Sequence, residues 1–423
     1  MSNRREIYVF ANWIGITNPM YMGLLTAEYV RGKEVFSFSY SKEWLTSGHS
    51  QVLDPDLQLF DGTQYASEEK QNFGIFLDSS PDRWGRVLMK RRESAMARRE
   101  KRNERTLKET DYLLGVFDGH RMGALRFKDT IDGPFLNDNK EFASPPWTSL
   151  RELEEISLKL EDDNAQENPD YWKWLTMLVN PGSSIGGARP KASVTDDKKK
   201  LWIAKFPSRN DDKDIGAWEM VANDLAKKAG INTAEAKIQR FSNRYHTYLT
   251  KRFDRTNIED RIHYASAMTM LGYNDGASFH DGVSYIELAE FITRHGSNVD
   301  RDLEELWRRI VFSICISNTD DHLRNHGFIL TEKGWALSPA FDINPNENGT
   351  GLSLNISLDD NSLDIELALS VIGYFRLSNT KALTIIEQIE KVTRNWQKIA
   401  SNYNIPKSEQ ELMEIAFNRY KYK

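Results

Sequence analysis

The chain has 423 residues, a net charge of −6, 39% hydrophobic and 28% charged residues, a globular balance that excludes a disordered chain and a membrane-like one. The acidic total excludes a protein that coats nucleic acid through bulk positive charge. A single cysteine, Cys315, excludes an internal disulfide, and its place in the apolar run Ile310-Val-Phe-Ser-Ile-Cys-Ile316 marks it as a packing residue.

That run is far too short to span a bilayer, and the start Met1-Ser-Asn-Arg-Arg-Glu-Ile7 lacks a signal-peptide core, so a cytoplasmic location with no membrane partner is expected. The length leaves room for two or three domains. In chain order, Ile7-Tyr-Val-Phe10 and Val35-Phe-Ser-Phe-Ser-Tyr40 read as strands, the second by its alternation of apolar and small polar residues. A basic helix is expected from Pro81, with Pro81 in its first turn and Ser79 or Ser80 as cap. Residues 83–105 carry Arg86, Lys90, Arg91, Arg92, Arg98, Arg99, Lys101 and Arg102. Two readings stay open for them: a solvated helix, or a surface for phosphates or an acidic partner.

Between Gly133 and Asn168, clusters of Pro, Asn and Asp flank a short amphipathic helix at Leu150 to Leu160, and the domain boundary is expected there. Lys191-Ala-Ser-Val194 and Leu201-Trp-Ile-Ala-Lys-Phe206, joined by a polar turn, predict a hairpin. A helix follows from about Gly216 to Lys228 and stops at Gly230, a residue free to take positive φ. Tyr248-Leu-Thr-Lys-Arg-Phe253 reads as another strand. Further on, Leu303, Leu306, Ile310 and Ile314 form one apolar stripe of a helix that ends at Asn318. A β-rich half followed by a helical half implies two lobes.

The residues with chemical potential cluster after that helix. In Ser317-Asn-Thr-Asp-Asp-His-Leu-Arg-Asn-His326, Asp320 precedes Asn325 by five residues, and Asp342 follows in Ala340-Phe-Asp-Ile343. Phosphoryl transfer needs one carboxylate to receive the acceptor hydroxyl, and an Asn and an Asp to hold magnesium on nucleotide phosphates. Asp320 fits the first role, Asn325 and Asp342 the second. Capping of a helix end or turn is the alternative for Asp320 and Asp321. Lys205 on the second hairpin strand and Glu219 on the next helix suit a phosphate-contacting lysine held by a carboxylate; an isolated surface lysine is the competing reading. Gly182-Ser-Ser-Ile-Gly-Gly-Ala-Arg-Pro-Lys191 offers backbone amides and the charges of Arg189 and Lys191 to phosphates, or is a flexible turn. Lys251-Arg-Phe-Asp-Arg255 is either a hinge whose backbone pairs with adenine or a salt-bridged strand end. His322 and His326 have the spacing of a zinc pair, but with no cysteine or further histidine nearby they suit structural hydrogen bonding better.

Taken together, Ser183-Ser-Ile-Gly-Gly-Ala-Arg-Pro-Lys191, Ile203-Ala-Lys-Phe-Pro207, Lys251-Arg-Phe-Asp-Arg255, Ser317-Asn-Thr-Asp-Asp-His-Leu-Arg-Asn325 and Leu337-Ser-Pro-Ala-Phe-Asp342 resemble, in order and spacing, the blocks of the HipA family of serine/threonine kinases, toxins of bacterial toxin–antitoxin pairs. Phe36-Ser-Phe-Ser-Tyr-Ser-Lys-Glu-Trp44 and Phe76-Leu-Asp-Ser-Ser-Pro-Asp-Arg-Trp-Gly-Arg86 resemble the family's small N-terminal domain. The resemblance implies an α+β, protein-kinase-like two-lobed fold. Residues 1–135 would be the N-terminal subdomain, 136–255 a linker and N-lobe with the glycine-rich loop, and 256–423 a helical C-lobe with the catalytic loop. It implies ATP and magnesium as cofactors, Asp320 as catalytic aspartate, and Asn325 and Asp342 as magnesium ligands. The nucleotide-binding set would take in Ser184, Ile185, Gly186, Gly187, Ala188 and Lys191 of the loop, Lys205 and Glu219, the hinge residues Lys251, Arg252, Phe253 and Asp254, and His322. Ser184 falls where the family carries an autophosphorylated serine. The implied partners are a HipB-like helix-turn-helix antitoxin, operator DNA reached through that complex, and a protein substrate of which glutamyl-tRNA synthetase is a known type. A small-molecule phosphotransferase, or a pseudokinase serving as co-repressor, are the competing functions.

Overall fold

The computed structural model describes residues 4–178, 187, 189–241 and 245–421. By packing, the chain divides into two compact units, Met1–Arg209 with Arg252–Ala265, and Asn210–Lys251 with Ser266–Lys423.

The first unit is built on an antiparallel five-stranded sheet of β1 (Arg4–Ala11), β2 (Met20–Val30), β3 (Lys33–Tyr40), β4 (Thr63–Tyr65) and β5 (Leu125–Lys128), in the order β4-β3-β2-β1-β5. The alternation expected of residues 35–40 is there: Phe36, Phe38 and Tyr40 are buried, and Phe38 packs against Phe76. The long strand β2 was not legible because Gly23 interrupts its pattern. Glycine is needed at that point, since a Cβ would stand 2.3 Å from the Ser39 carbonyl oxygen.

The basic helix spans Arg83–Arg99, and its cap is Asp82, whose side chain accepts the Gly85 N–H. The expectation of Ser79 or Ser80 is thereby corrected. Both serine hydroxyls donate back to carbonyls of the preceding short helix, Gly74–Asp78, and Pro81 lies outside the new one. The helix Leu150–Leu160 runs as expected. So does the antiparallel hairpin of β6 (Lys191–Thr195) and β7 (Leu201–Lys205). Arg121, fully buried, donates to the carbonyls of Ser79, Leu113, Val116 and Leu136. One guanidinium thus satisfies acceptors that the helix end near Gly115 would leave orphaned.

In the second unit, helix Ile215–Lys228 starts at the capping side chain of Asp214 and ends before Gly230, whose φ is +82°. It packs on the antiparallel pair β8 (Ala236–Gln239) and β9 (Thr247–Lys251). Helix Val299–Ile316 buries the stripe Leu303, Leu306, Ile310 and Ile314 among helices Tyr285–His295, Asn379–Thr393 and Lys407–Asn418. It ends at Ile316, two residues earlier than expected, and the residue that caps it, Ser317, is left-handed at φ 50°. The strands Gly327–Thr331 and Gly334–Leu337 pair antiparallel after the loop. No helix among the described residues is long and apolar enough to cross a membrane.

Candidate active site

The apolar stripe of helix Val299–Ile316 holds the helix in the core, so its C-terminal end delivers the following polar residues at a defined place. The segment from Asn318 onward then folds back on itself through Asp320. The Asp320 carbonyl accepts the His322 N–H at 3.0 Å and the Asn325 side-chain N–H at 2.8 Å, while the Asn325 N–H goes to the His322 carbonyl at 2.8 Å. Asp320 itself is exposed. Asn325 is buried, its donor end is committed to the loop, and its Oδ1 is buried without a hydrogen-bond partner among the described residues. A buried amide oxygen in that state calls for an explanation, and a cation is one.

Asp342 enters from the segment after the second hairpin strand. Ala340 pairs with residues 232–234, donating to the Asn232 carbonyl at 2.7 Å and accepting from the Ala234 N–H. Asp342 itself is left-handed at φ 57°, a conformation that costs most L-residues about 1–2 kcal/mol and that Asp tolerates better than most. Its Oδ1 accepts from the Asn344 side chain at 3.1 Å. Tyr248 is fully buried beside Glu219, Asp342 and Asp224, and burial first, then these negative charges, push its phenol well above the ordinary range. Glu219 on its helix and Asp342 thus share a neighbour.

The donor set fits magnesium. Asn325 and Asp342 present hard oxygens, and magnesium is usually held by one or two carboxylates together with substrate phosphates rather than by an all-protein cage. No group of three His, Cys, Asp or Glu side chains among the described residues is gathered to hold a metal.

Asp321, which the sequence does not separate from Asp320, has a different place. It is buried, accepts the Tyr285 hydroxyl at 2.6 Å, and its Oδ1 lies 2.9 Å from His326 Nε2. Burial alone would raise its pKa, but His326, Tyr285 and His322 outweigh that and bring it below the usual carboxylate range. The contact is an ion pair only when His326 is protonated. Asp321, Asn318, Asn325 and His326 line one cavity of about 10 Å³, too tight for a nucleotide. Tyr285, Asn318 and Asn344 carried no signal in the sequence. His322 is half-buried, its Nδ1 unpartnered among the described residues.

In the first unit, Lys205 closes β7 and is 6% exposed, opposite Lys191 in the strand register. Lys191 is itself buried. Its ammonium lies 2.9 Å from Asp82 and donates to the Gly187 carbonyl, and its own carbonyl accepts from the Trp84 indole. Asp82 thereby offsets the repulsion of two lysines facing each other across a strand pair. Ser184, Ile185, Gly186 and Ala188 lie outside the described residues. Of the hinge segment, Arg252 and Asp254 are buried in a network within the first unit. Arg252 bonds Asp254 and the His120 carbonyl, and Asp254 also pairs with Arg255 and accepts the Gly123 N–H. The Phe253 ring packs 5.7 Å from that of Tyr264. Lys251, in the second unit, stands 3.6 Å from Glu235, to whose carbonyl its N–H donates.

Most of the basic stretch is engaged inside the first unit as well. Arg86 grips Glu109 with both guanidinium arms at 2.6 and 2.7 Å, Arg102 bonds Glu93, Arg91 donates to the Leu160 carbonyl, and Arg99 lies over the Trp172 ring.

Comparison with known proteins bears on this arrangement. A family model described as the HipA-like C-terminal domain matches residues 183–396. The serine/threonine-protein kinase toxin HipA of Shewanella oneidensis is 24% identical over 341 residues, 73% of this chain and 70% of that one. A Haemophilus influenzae protein named as a kinase is 26% identical over 204 residues, 43% of this chain and 59% of that one. Among solved structures, the S. oneidensis HipA in complex with HipB and its operator DNA superposes with a TM-score of 0.62 at 18% identity, covering 98% of this chain and 95% of that one. The fold is therefore the mixed α and β, protein-kinase-like fold of HipA. With the family model spanning half its length, and over both the Asp320–Asn325 and Asp342 segments, the chain belongs to the HipA family.

Proposed function

We propose that this chain is an ATP- and magnesium-dependent serine/threonine protein kinase acting as a HipA-like toxin. The observation that carries the reading is Asn325, whose donor end is tied to the Asp320 carbonyl and whose oxygen is buried without a partner among the described residues. In this reading the carboxylate of the exposed Asp320 receives the proton of the acceptor hydroxyl, a contribution on the order of 10²–10⁴-fold. Its exposure suits an acceptor as large as a protein side chain on a folded surface. Asn325 Oδ1 and the Asp342 carboxylate hold the metal. Magnesium, when bound, neutralises charge on the phosphates during transfer. Lys205 contacts phosphates and Glu219 supports it, while the backbone of residues 251–254 serves the nucleotide base.

Ser184 is the autophosphorylation site in this proposal. A phosphate there adds roughly −1.5 to −2 charges where nucleotide phosphates bind, and like-charge repulsion switches the kinase off. The S. oneidensis relative is found with HipB and operator DNA, which supports a HipB-like helix-turn-helix antitoxin as partner and operator DNA reached through it. Glutamyl-tRNA synthetase is the target class to try first.

The test is incubation of the pure protein with ATP and magnesium, phosphate being located by intact mass and peptide mapping, with Asp320→Ala as control. Phosphate on Ser184 that disappears in the variant is the expected result. ATP bound without any phosphate on the protein or on a candidate target would favour a pseudokinase, and phosphate passed only to small molecules a phosphotransferase.

A further inference from the structure

Three successive residues ahead of Asp320 are each bonded to the segment that follows Asp342. The Ser317 carbonyl accepts the Asn346 N–H at 3.1 Å, Asn318 Oδ1 accepts the Asn344 N–H at 3.2 Å, and Thr319 accepts twice, at its hydroxyl from the Asn346 side chain and at its carbonyl from Ser353, both at 2.8 Å. Gly349 permits this closeness, since a Cβ there would come within 2.1 Å of the Thr319 hydroxyl. Asn318 is 2% exposed and anchored on the helix, its side-chain N–H going to Ser313 Oγ at 3.3 Å. Asn344 then reaches back to Asp342, donating to Oδ1 at 3.1 Å. A chain of named contacts thus runs from the helix through Asn318 and Asn344 to the carboxylate.

We propose that Asn318 and Asn344 are positioning residues that register Asp342 against the loop carrying Asp320 and Asn325, and so set the spacing of the metal-holding oxygens. The proposal deepens the phosphoryl-transfer reading and rests on it. Two features separate it from ordinary loop packing. Asp342 is held in a left-handed conformation, which surrounding contacts must over-determine if it is to persist. Asn344 buries a side-chain oxygen with no hydrogen-bond partner among the described residues, a penalty that a residue retained for packing alone would not carry. Its donor is directed at the carboxylate. Groups that orient metal ligands commonly change metal affinity by 10–100-fold when removed.

The experiment is a titration of the full chain with Mn²⁺ in the presence of ADP, followed by electron paramagnetic resonance, so that no turnover is needed. Thermal unfolding is recorded alongside. Asn344→Leu removes the donor at nearly constant volume, and Asn344→His restores a donor at the same distance from the backbone. The expected result is Mn²⁺ affinity weakened about 10–100-fold by Leu and returned to within about threefold of the parent by His, at unchanged unfolding temperature. Asn318→Ala is expected to weaken Mn²⁺ similarly; should it fail to fold, the Asn344 pair still decides. Mn²⁺ affinity equal in the parent and Asn344→Leu overturns the positioning role while leaving the kinase reading intact. A parent chain that binds ADP but no Mn²⁺ overturns both.

Discussion

Asp321 and His326 close the loop after helix Val299–Ile316 on itself: each directly follows one of the two proposed site residues, Asp320 and Asn325, and their side chains meet at 2.9 Å. The loop's two ends are therefore tied by a buried pair, with Tyr285 donating to the second carboxylate oxygen. Tyr285→Phe removes one hydrogen bond to a buried charged group. A loss of about 1.5–3 kcal/mol in unfolding free energy is expected, read from urea denaturation. A change below about 0.5 kcal/mol would mean that the loop is held by other contacts.

Asp320→Asn keeps the side-chain volume and the backbone carbonyl on which Asn325 rests, and removes the base. Phosphorylation is expected to fall by about 10²–10⁴-fold with ADP affinity unchanged. Equal losses in rate and nucleotide binding would place Asp320 in the loop's architecture instead.

Lys191 and Lys205 face each other in register yet are expected to fail differently when altered. Lys191 forms a fully buried ion pair with Asp82, so Lys191→Met strands a carboxylate. A loss of about 3–5 kcal/mol in stability is expected, measured by equilibrium unfolding. Lys205→Met is expected to abolish phosphorylation first. A stable Lys191→Met chain would show that Asp82 finds another partner.

Asp254 makes the first unit acid-sensitive. Burial raises its pKa, but Arg252 and Arg255 outweigh burial and bring it to about 2, below the ordinary carboxylate value of 3.8. In acid the unfolded chain therefore binds the proton more readily. The carboxylate's contribution, about 2–3 kcal/mol, is complete above the unfolded value and is lost as pH falls from there through about 2. Circular dichroism between pH 5 and 2 is expected to show this loss, and Asp254→Asn to flatten it while lowering stability at pH 7. An acid transition unchanged in Asp254→Asn would assign it to other carboxylates.

The spacing of Asp320, Asn325 and Asp342, the hairpin bearing Lys205, and the helix from Val299 were legible because each is local: neighbouring residues encode them through periodicity and turn chemistry. The amino-acid sequence by itself thus determined the family and the order of its chemical groups. It left open which of Asp320 and Asp321 faces solvent, because both suit a polar loop equally. It pointed to Ser79 or Ser80 where Asp82 caps the basic helix, since three capping residues within four positions cannot be ranked by type alone. It concealed β2, whose glycine is required by the neighbouring strand, at Ser39, 16 residues on. Only the tertiary structure decided that Lys191 is spent on Asp82 and that Asn318 meets Asn344, 26 residues on. Such pairings depend on where the core places whole elements, and no local periodicity records them.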